Sequence, residues 1–335
     1  MLASYFTPDT YANEHSACAA RLAAGLCADL ASAIYSGRVK NGFALVRPPG
    51  HHAGVKQAMG CCLHNNAAIA ASAAEAAGAK KDVHGNGTQE IFERSKSVLY
   101  MSLHRHEDGR FYPGTGAADE VGSMGAEGYC VNIPWSRGGV GDKDYIFAFE
   151  QVVLPIALDF IPDFTIISAG FDAARGDPLG CCDVTPAGYA SMTQMLSALS
   201  GGKLLVILEG GPVSSLCSFV LAPKSKRTGA TAVIKVLLGE SHVIDIDNTV
   251  PSKSGLRSVL DVLKIQMNFW PTLETNFTKL HSKWGSYAFQ DTRKQSKKRR
   301  KTGVPIWWRC GQKSLLYRIL SKQNPVVITP VDVDS

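Results

Sequence analysis

The chain has 335 residues, of which 45% are hydrophobic, and its formal net charge is +6. A chain of this length and hydrophobic content can bury a large core, so we expect one large domain with a tail. No apolar run reaches the roughly 18 residues of a membrane span, and the start lacks a signal-peptide pattern. The nine cysteines form neither a CxxC zinc pattern nor a disulfide framework, so we expect reduced thiols in a soluble, intracellular protein.

Hydrophobic periodicity predicts that helices alternate with short strands. Helical spacing of small and apolar residues occurs at 14–35, 65–77, 143–158, 187–199 and 254–269. Short apolar runs that end in loop residues predict strands at 42–46, 98–103, 164–168 and 203–208. This alternation indicates an α/β fold of three α/β/α layers around a mostly parallel sheet, followed by a C-terminal tail.

Polar residues follow the predicted strands where each strand ends. They are His51, His52, Ser102, His104, Asp172 and Glu209. Because ligands bind at the carboxyl edge of such sheets, we expect these residues to converge in one crevice, as in a metal hydrolase. Taken singly they have simpler interpretations: the histidine pair as loop residues, Asp172 as a helix N-cap, and His104 and Glu209 as structural residues.

Four segments, in order, resemble the signature blocks of class II histone deacetylases of the plant type. They are residues 47–53 (RPPGHHA), 82–89 (DVHGNGTQ), 168–173 (SAGFDA) and 208–211 (LEGG). The likeness runs from about Asp9 to Glu240. It implies the arginase/deacetylase fold and zinc-dependent hydrolysis of acetyl-lysine in histones or other proteins.

The resemblance also implies roles for individual residues. Zn²⁺ would be held by Asp82, His84 and Asp172, which leaves a coordination position open, as catalytic zinc requires. His51 and His52 would serve as general base and general acid, for which imidazoles suit because their pKa lies near neutral. Asp82-x-His84 by itself, in a glycine-rich loop, is also explained by hydrogen bonds to the turn.

The chain departs from the family pattern before Asp82. The family has an apolar strand ending in Asp-Trp-Asp-Val-His-His-Gly, whereas here Ala79-Lys80-Lys81 runs directly into Asp82. The missing first aspartate would orient His51 and help to hold the family's structural K⁺, so that ion is doubtful here. Crossing the sheet takes about six residues, or roughly 20 Å. Either residues 76–81 unwind into a makeshift strand, or Asp82 and His84 do not reach the metal.

Other departures concern the rest of the active site. Pro212 stands where the family has a tyrosine whose hydroxyl stabilises the oxyanion, and losing such a donor typically costs about a hundred- to a thousandfold in rate. Cys61 replaces an aromatic residue of the acyl-lysine tunnel. The likeness begins well inside the usual domain. These features predict a truncated, internally deleted copy.

We expect three regions along the chain. Residues 1–240 form a deacetylase-like catalytic domain that is incomplete at its N-terminus, 241–289 a helical extension, and 290–335 a basic linker with a short apolar C-terminal segment. The basic run Lys297–Lys301 indicates nuclear import, with a solvated linker as the alternative. We therefore expect the nucleus, and the cytoplasm as a second location.

Three functions fit these observations. The first is zinc-dependent deacetylation of acetyl-lysine proteins, impaired in this chain. The alternative is a catalytically inactive deacetylase-like module that binds partners or acetylated tails, and the third is hydrolysis of small acetylated amines such as acetylpolyamines. The expected partners are acetylated histones or other acetyl-lysine proteins and, by family likeness, corepressor proteins. Direct DNA binding and membrane binding are not expected.

Overall fold

Six strands form one sheet in the computed structural model, which describes residues 7, 9–77, 81–83, 85–177, 179–210, 224–240 and 250–285. The strands are β1 Asn41–Ala44, β2 Lys81–Val83, β3 Val98–Arg105, β4 Cys130–Trp135, β5 Phe164–Ala169 and β6 Leu204–Leu208. Their spatial order is β1-β6-β5-β2-β3-β4, and the neighbours pair in parallel. The predicted mostly parallel sheet is confirmed.

Helices cover both faces of the sheet. They are α1 Ser16–Tyr35, α2 Asn66–Ala76, α3 Asn86–Phe92, α4 Asp142–Ala148, α5 Leu154–Phe160, α6 Pro186–Ser197, α7 Lys224–Leu237, α8 Lys253–Gln266 and α9 Glu274–Leu280. Because side chains alternate along a strand, Leu205 and Ile207 of β6 pack with α1 and α2, whereas Leu204 and Val206 pack with α7 on the opposite face. The three-layer α/β/α fold is therefore confirmed.

Helix α1 corrects one expectation. It is long and apolar enough to cross a membrane by length and composition, so an apolar segment of that size does occur in the chain. Its face at Ala23, Cys27, Ala31 and Ile34 is buried and packs in the core cluster that includes α2. A core helix passes the same length and hydropathy test, and a third of the apolar window of α1 is buried in this core.

Helix α8 packs directly on the edge strand β4. Ser258 Oγ donates to the carbonyl oxygen of Pro134 at 2.8 Å, and Gln266 Nε2 donates to that of Cys130 at 2.9 Å. Residues of α8 and α9 also belong to the same buried cluster as Val131. Much of the predicted helical extension thus contributes to the core, whereas the proposed domain boundaries stay predictions. The segment 286–335 lies outside the described residues.

Strand β2 is short and enters the sheet at its amino edge. Lys81 pairs with Phe164 and Val98, which are the first residues of β5 and β3. Helix α2 ends at Ala76, so few residues separate it from the strand, and α3 begins at Asn86. The makeshift strand expected over residues 76–81 is not what forms, because α2 continues to Ala76 and the strand is Lys81–Val83, which contains Asp82 itself. This strand occupies three residues, whereas β5 uses six to cross the sheet.

Candidate active site

The histidine pair lies in the loop after β1, which Glu209 fixes at the carboxyl end of β6. The Glu209 carboxylate is 1% exposed, and its Oε2 accepts from the backbone N–H of Gly50 at 2.7 Å and of His51 at 3.2 Å. Arg47 Nη1 donates to the backbone carbonyl of Glu209 at 2.9 Å. These contacts anchor the loop to the end of a buried strand, as expected for an active-site loop on a rigid sheet.

His51 is paired with a buried carboxylate. Its Nδ1–H donates to Glu209 Oε2 at 3.2 Å. Burial alone would lower the pKa of His51, but hydrogen bonds with Cys62 and Glu209 outweigh that effect and raise the pKa to about 10. His51 is therefore held as a cation at neutral pH.

His52 has the opposite environment, although its ring centroid lies 3.9 Å from that of His51. Burial, and then the positive charge of His51, lower the pKa of His52 to about 3. Its Nδ1–H donates to the side-chain oxygen of Asn86 at the start of α3, which leaves the lone pair on Nε2. His52 is thus neutral and can accept a proton at Nε2.

Tyr112 and Asp9 lie beside the pair. The Tyr112 ring is edge-on to His52, with centroids 5.3 Å apart, and its hydroxyl donates to the Asp9 carboxylate. Burial and this hydrogen bond raise the pKa of Tyr112. Cys61, at the position of the family's aromatic, donates through Sγ to the Asp9 backbone carbonyl at 3.2 Å. One aromatic side chain therefore remains next to the histidines.

Asp172 lies close to the same end of the sheet. It belongs to the 3₁₀ turn Phe171–Ala173 that follows β5, and Gly170 is the N-cap of that turn, so the helix N-cap interpretation is wrong. A side chain at Gly210 would come within 2.6 Å of the Asp172 carboxylate. Since Gly210 follows Glu209, the structure brings Asp172 and His51 to either side of one strand end.

Asp82 is not brought to that end. Its Cα is level with Thr165, four residues before the end of β5, so it lies about 13 Å back along the strand direction. With Zn–O bonds of about 2.1 Å, two aspartate ligands of one zinc have Cα atoms within roughly 12 Å. Among the described residues, no three His, Cys, Asp or Glu side chains are grouped to hold a metal. This backbone register disfavours Asp82 and Asp172 as ligands of one zinc ion, and the zinc ligand set stays a prediction.

Two further positions of the predicted site lie outside the described residues, namely His84 and Pro212. His104 is described and lies, half-buried, in a structural hydrogen-bond network. Its Nδ1 lies 2.7 Å from Ser102 Oγ, and its Nε2 lies 3.0 Å from the carbonyl oxygen of Gly116. Both ring nitrogens thus contact the protein, in agreement with the structural role expected for His104.

Two participants have no role in the sequence-based prediction, namely Asn86 and Tyr112. Glu209 is expected at the crevice, but its contact with His51 is not. Their positions relative to the histidines depend on long-range packing, since Glu209 and His51 are 158 residues apart. The signal for Glu209 was its placement directly after a buried strand.

Comparisons with known proteins agree with this architecture. The family model of the histone deacetylase domain matches residues 2–218. Histone deacetylase 15 of Arabidopsis thaliana is 67% identical over 329 residues, which cover 96% of this chain and 58% of that protein. The chain thus spans little more than half of that relative.

More distant relatives and a solved structure point the same way. Human histone deacetylase 7 is 41% identical over 285 residues, covering 79% of this chain and 29% of that protein. A crystal structure of an HDA15 HD domain has a TM-score of 0.76 and 71% identity, covering 82% of this chain and 76% of that one. The chain belongs to the histone deacetylase family, as a class II member of the plant type within the arginase/deacetylase superfamily.

Proposed function

We propose that this chain carries a deacetylase site for acetyl-lysine in histones or other proteins, and that its zinc-dependent hydrolysis is strongly impaired. The observation that carries the proposal is the register of β2, which leaves Asp82 about 13 Å behind the carboxyl edge. In the family chemistry zinc polarises the amide and activates water. A site that lacks one of three protein ligands holds the metal weakly, because affinity depends on ligand number and geometry.

The described part of the site supports binding and proton transfer. His52 is neutral and half-buried, and His51 is a half-buried cation beside it. A neutral imidazole next to a fixed positive charge suits the transfer of a proton to or from an amide. Tyr112 supplies an aromatic wall for the aliphatic stem of an acyl-lysine. These residues remain together although Asp82 does not reach them.

A catalytically inactive module that binds acetylated tails is the second candidate. This candidate is favoured because the two histidines and Tyr112 lie in contact with one another, whereas Asp82 lies far from them in the sheet. Pro212 adds to this, since proline offers no side-chain donor for an oxyanion. The two candidates differ in whether any acetyl group is released.

Turnover of a fluorogenic acetyl-lysine peptide, with and without a hydroxamate inhibitor, tests the proposal. We expect slow, inhibitor-sensitive turnover that disappears in His52→Ala. Turnover at the rate of an intact deacetylase would contradict the impairment. Peptide binding without any release of acetate would favour the inactive module, and faster release from an acetylpolyamine than from the peptide would favour a small-amine substrate.

We also propose that the chain acts in the nucleus, with the cytoplasm as a second location. The basic run Lys297–Lys301 supports this proposal on sequence grounds, and it lies outside the described residues. Acetylated histones and corepressor proteins are the partners proposed by family likeness. Neither direct DNA binding nor membrane binding forms part of the proposal.

A further inference from the structure

Glu209 is the buried carboxylate that contacts His51 of the histidine pair. It follows β6, is 1% exposed, and accepts hydrogen bonds through both oxygens. Oε2 accepts from Gly50 N–H at 2.7 Å and from the Nδ1–H of His51 at 3.2 Å, while Oε1 accepts from Ser168 Oγ at 3.4 Å. Glu209 therefore holds both the backbone of the histidine loop and one ring nitrogen of His51.

The segment before Asp82 supplies no aspartate for that nitrogen. A carboxylate on Nδ1 fixes the tautomer of a catalytic imidazole and its ring orientation, so that Nε2 points at the reacting atoms. The residues before Asp82 are Ala79, Lys80 and Lys81, none of which is acidic. Strand β2 carries Asp82 at the level of Thr165, at the far edge of the sheet from the histidine loop.

We propose that Glu209 is the positioning residue for His51, in the place of the aspartate that the sequence lacks. Because Glu209 is tied to the end of β6 and its N–H donates to the Ala169 carbonyl at 3.1 Å, its position does not depend on β2. The orientation of His51 therefore survives the loss of the strand. This inference rests on the proposed function only in taking His51 as an active-site residue.

Nitrogen NMR of the histidine side chains in the ¹⁵N-labelled full-length chain tests the proposal without any need for turnover. The His51 signal is assigned by its absence in His51→Gln. We expect the wild-type Nδ1 to carry a proton that exchanges slowly with water. In Glu209→Gln this proton exchanges quickly, and the proton affinity of His51 falls by about tenfold or more, or one pKa unit.

Two further variants separate positioning from general structure. Glu120→Gln is the matched control, because the Glu120 carboxylate also accepts from backbone N–H groups, at Gly116 and Ala117, and makes these contacts away from His51. We expect it to leave the His51 signals unchanged. Glu209→Asp keeps the charge and restores part of the proton affinity. Cys62 and His52 also contact the ring and are the same in every variant.

The wild-type protein alone tests the proposal if Glu209→Gln does not fold. A wild-type His51 without a proton on Nδ1 would overturn the proposal by itself, as would identical His51 signals in wild type and a folded Glu209→Gln. The proposal would also be overturned if Glu120→Gln changed the His51 NMR signals as much as Glu209→Gln does. Absence of turnover in all proteins would count against the proposed function and leave the positioning role intact.

Discussion

His51 and His52 are adjacent in sequence but have opposite charge states. Glu209 and Cys62 hold the first as a cation, and burial beside that cation keeps the second neutral. The RPPGHHA block identified both as candidates. It gave no information about which of them is charged, because that depends on a carboxylate 158 residues away. Sequence thus predicts the residues, and packing decides their protonation.

The low pKa of His52 predicts sensitivity to acid. A histidine whose pKa is lower in the folded than in the unfolded chain contributes stability above the unfolded value, and this stability is lost as the pH falls toward the folded value. With a folded pKa of about 3, lowering the pH from 7 to 5 removes about 2 kcal/mol.

Urea unfolding at pH 7 and pH 5 measures this effect in His52→Asn. We expect the variant to lose about 2 kcal/mol less than wild type between the two pH values. His15→Asn is the control, because the side chain of His15 is 82% exposed. Equal losses in wild type and His52→Asn would show that His52 is not buried in its neutral form.

The length of strand β2 determines whether Asp82 can reach the predicted metal site. Sequence comparison with the family located the deletion and left two outcomes open. In the structure a strand forms at Lys81–Val83, where the main-chain groups of β3 and β5 find partners, and Asp82 nevertheless stays near the amino edge of the sheet. Buried N–H and C=O groups of a sheet require such partners, and this requirement outweighs the poor strand propensity of the sequence. Strand β2 forms, but it is only three residues long, whereas the neighbouring β5 has six.

Restoring the length of β2 should restore the predicted zinc site. We predict that inserting six β-forming residues ending in Asp-Trp between Lys81 and Asp82, with a second histidine after His84, moves the Asp82 segment to the carboxyl edge. An insertion of six Gly and Ser residues is the control, since it restores length without strand propensity. Zinc retention after gel filtration should rise only in the first variant. Equal retention in both insertions and the parent would contradict this account.

The contact between α1 and α2 depends on small side chains. Ala71 in α2 is fully buried against the cluster that includes Cys27 and Ala31 of α1, whereas Ala76 is exposed. We predict that Ala71→Leu lowers the free energy of unfolding by about 1–3 kcal/mol through overpacking. Ala76→Leu should change it by less than about 0.5 kcal/mol, and urea unfolding compares the two. A similar small effect in both would mean that the helices separate easily.

Most elements could be predicted from their periodicity, and the exceptions have physical reasons. Strand β4 was not predicted because its sequence contains Asn132 and Pro134, which are rare inside strands. It lies at the edge of the sheet and pairs with β3 alone, so the missing N–H of Pro134 is tolerated there. The crevice at the strand ends was predicted for His51, His52 and Asp172. The contacts among these residues and Glu209 depend on the folded chain.

For the whole molecule, charge is distributed unevenly between the domain and its tail. Seven basic residues between Arg293 and Lys301 exceed the formal net charge of +6. A basic run of this kind is typical of a nuclear import signal. We predict that a fluorescent fusion of the full chain concentrates in the nucleus, and that replacing residues 297–301 by alanine distributes it through the cell. An unchanged distribution would support the solvated-linker interpretation.

The most direct test of the central claim is the zinc content of the purified full chain, measured by plasma mass spectrometry after gel filtration in zinc-free buffer. The account predicts well below one zinc per chain, because Asp82 lies too far back in the sheet to complete the ligand set. Close to one zinc per chain, retained through gel filtration and accompanied by rapid, hydroxamate-sensitive turnover, would contradict it.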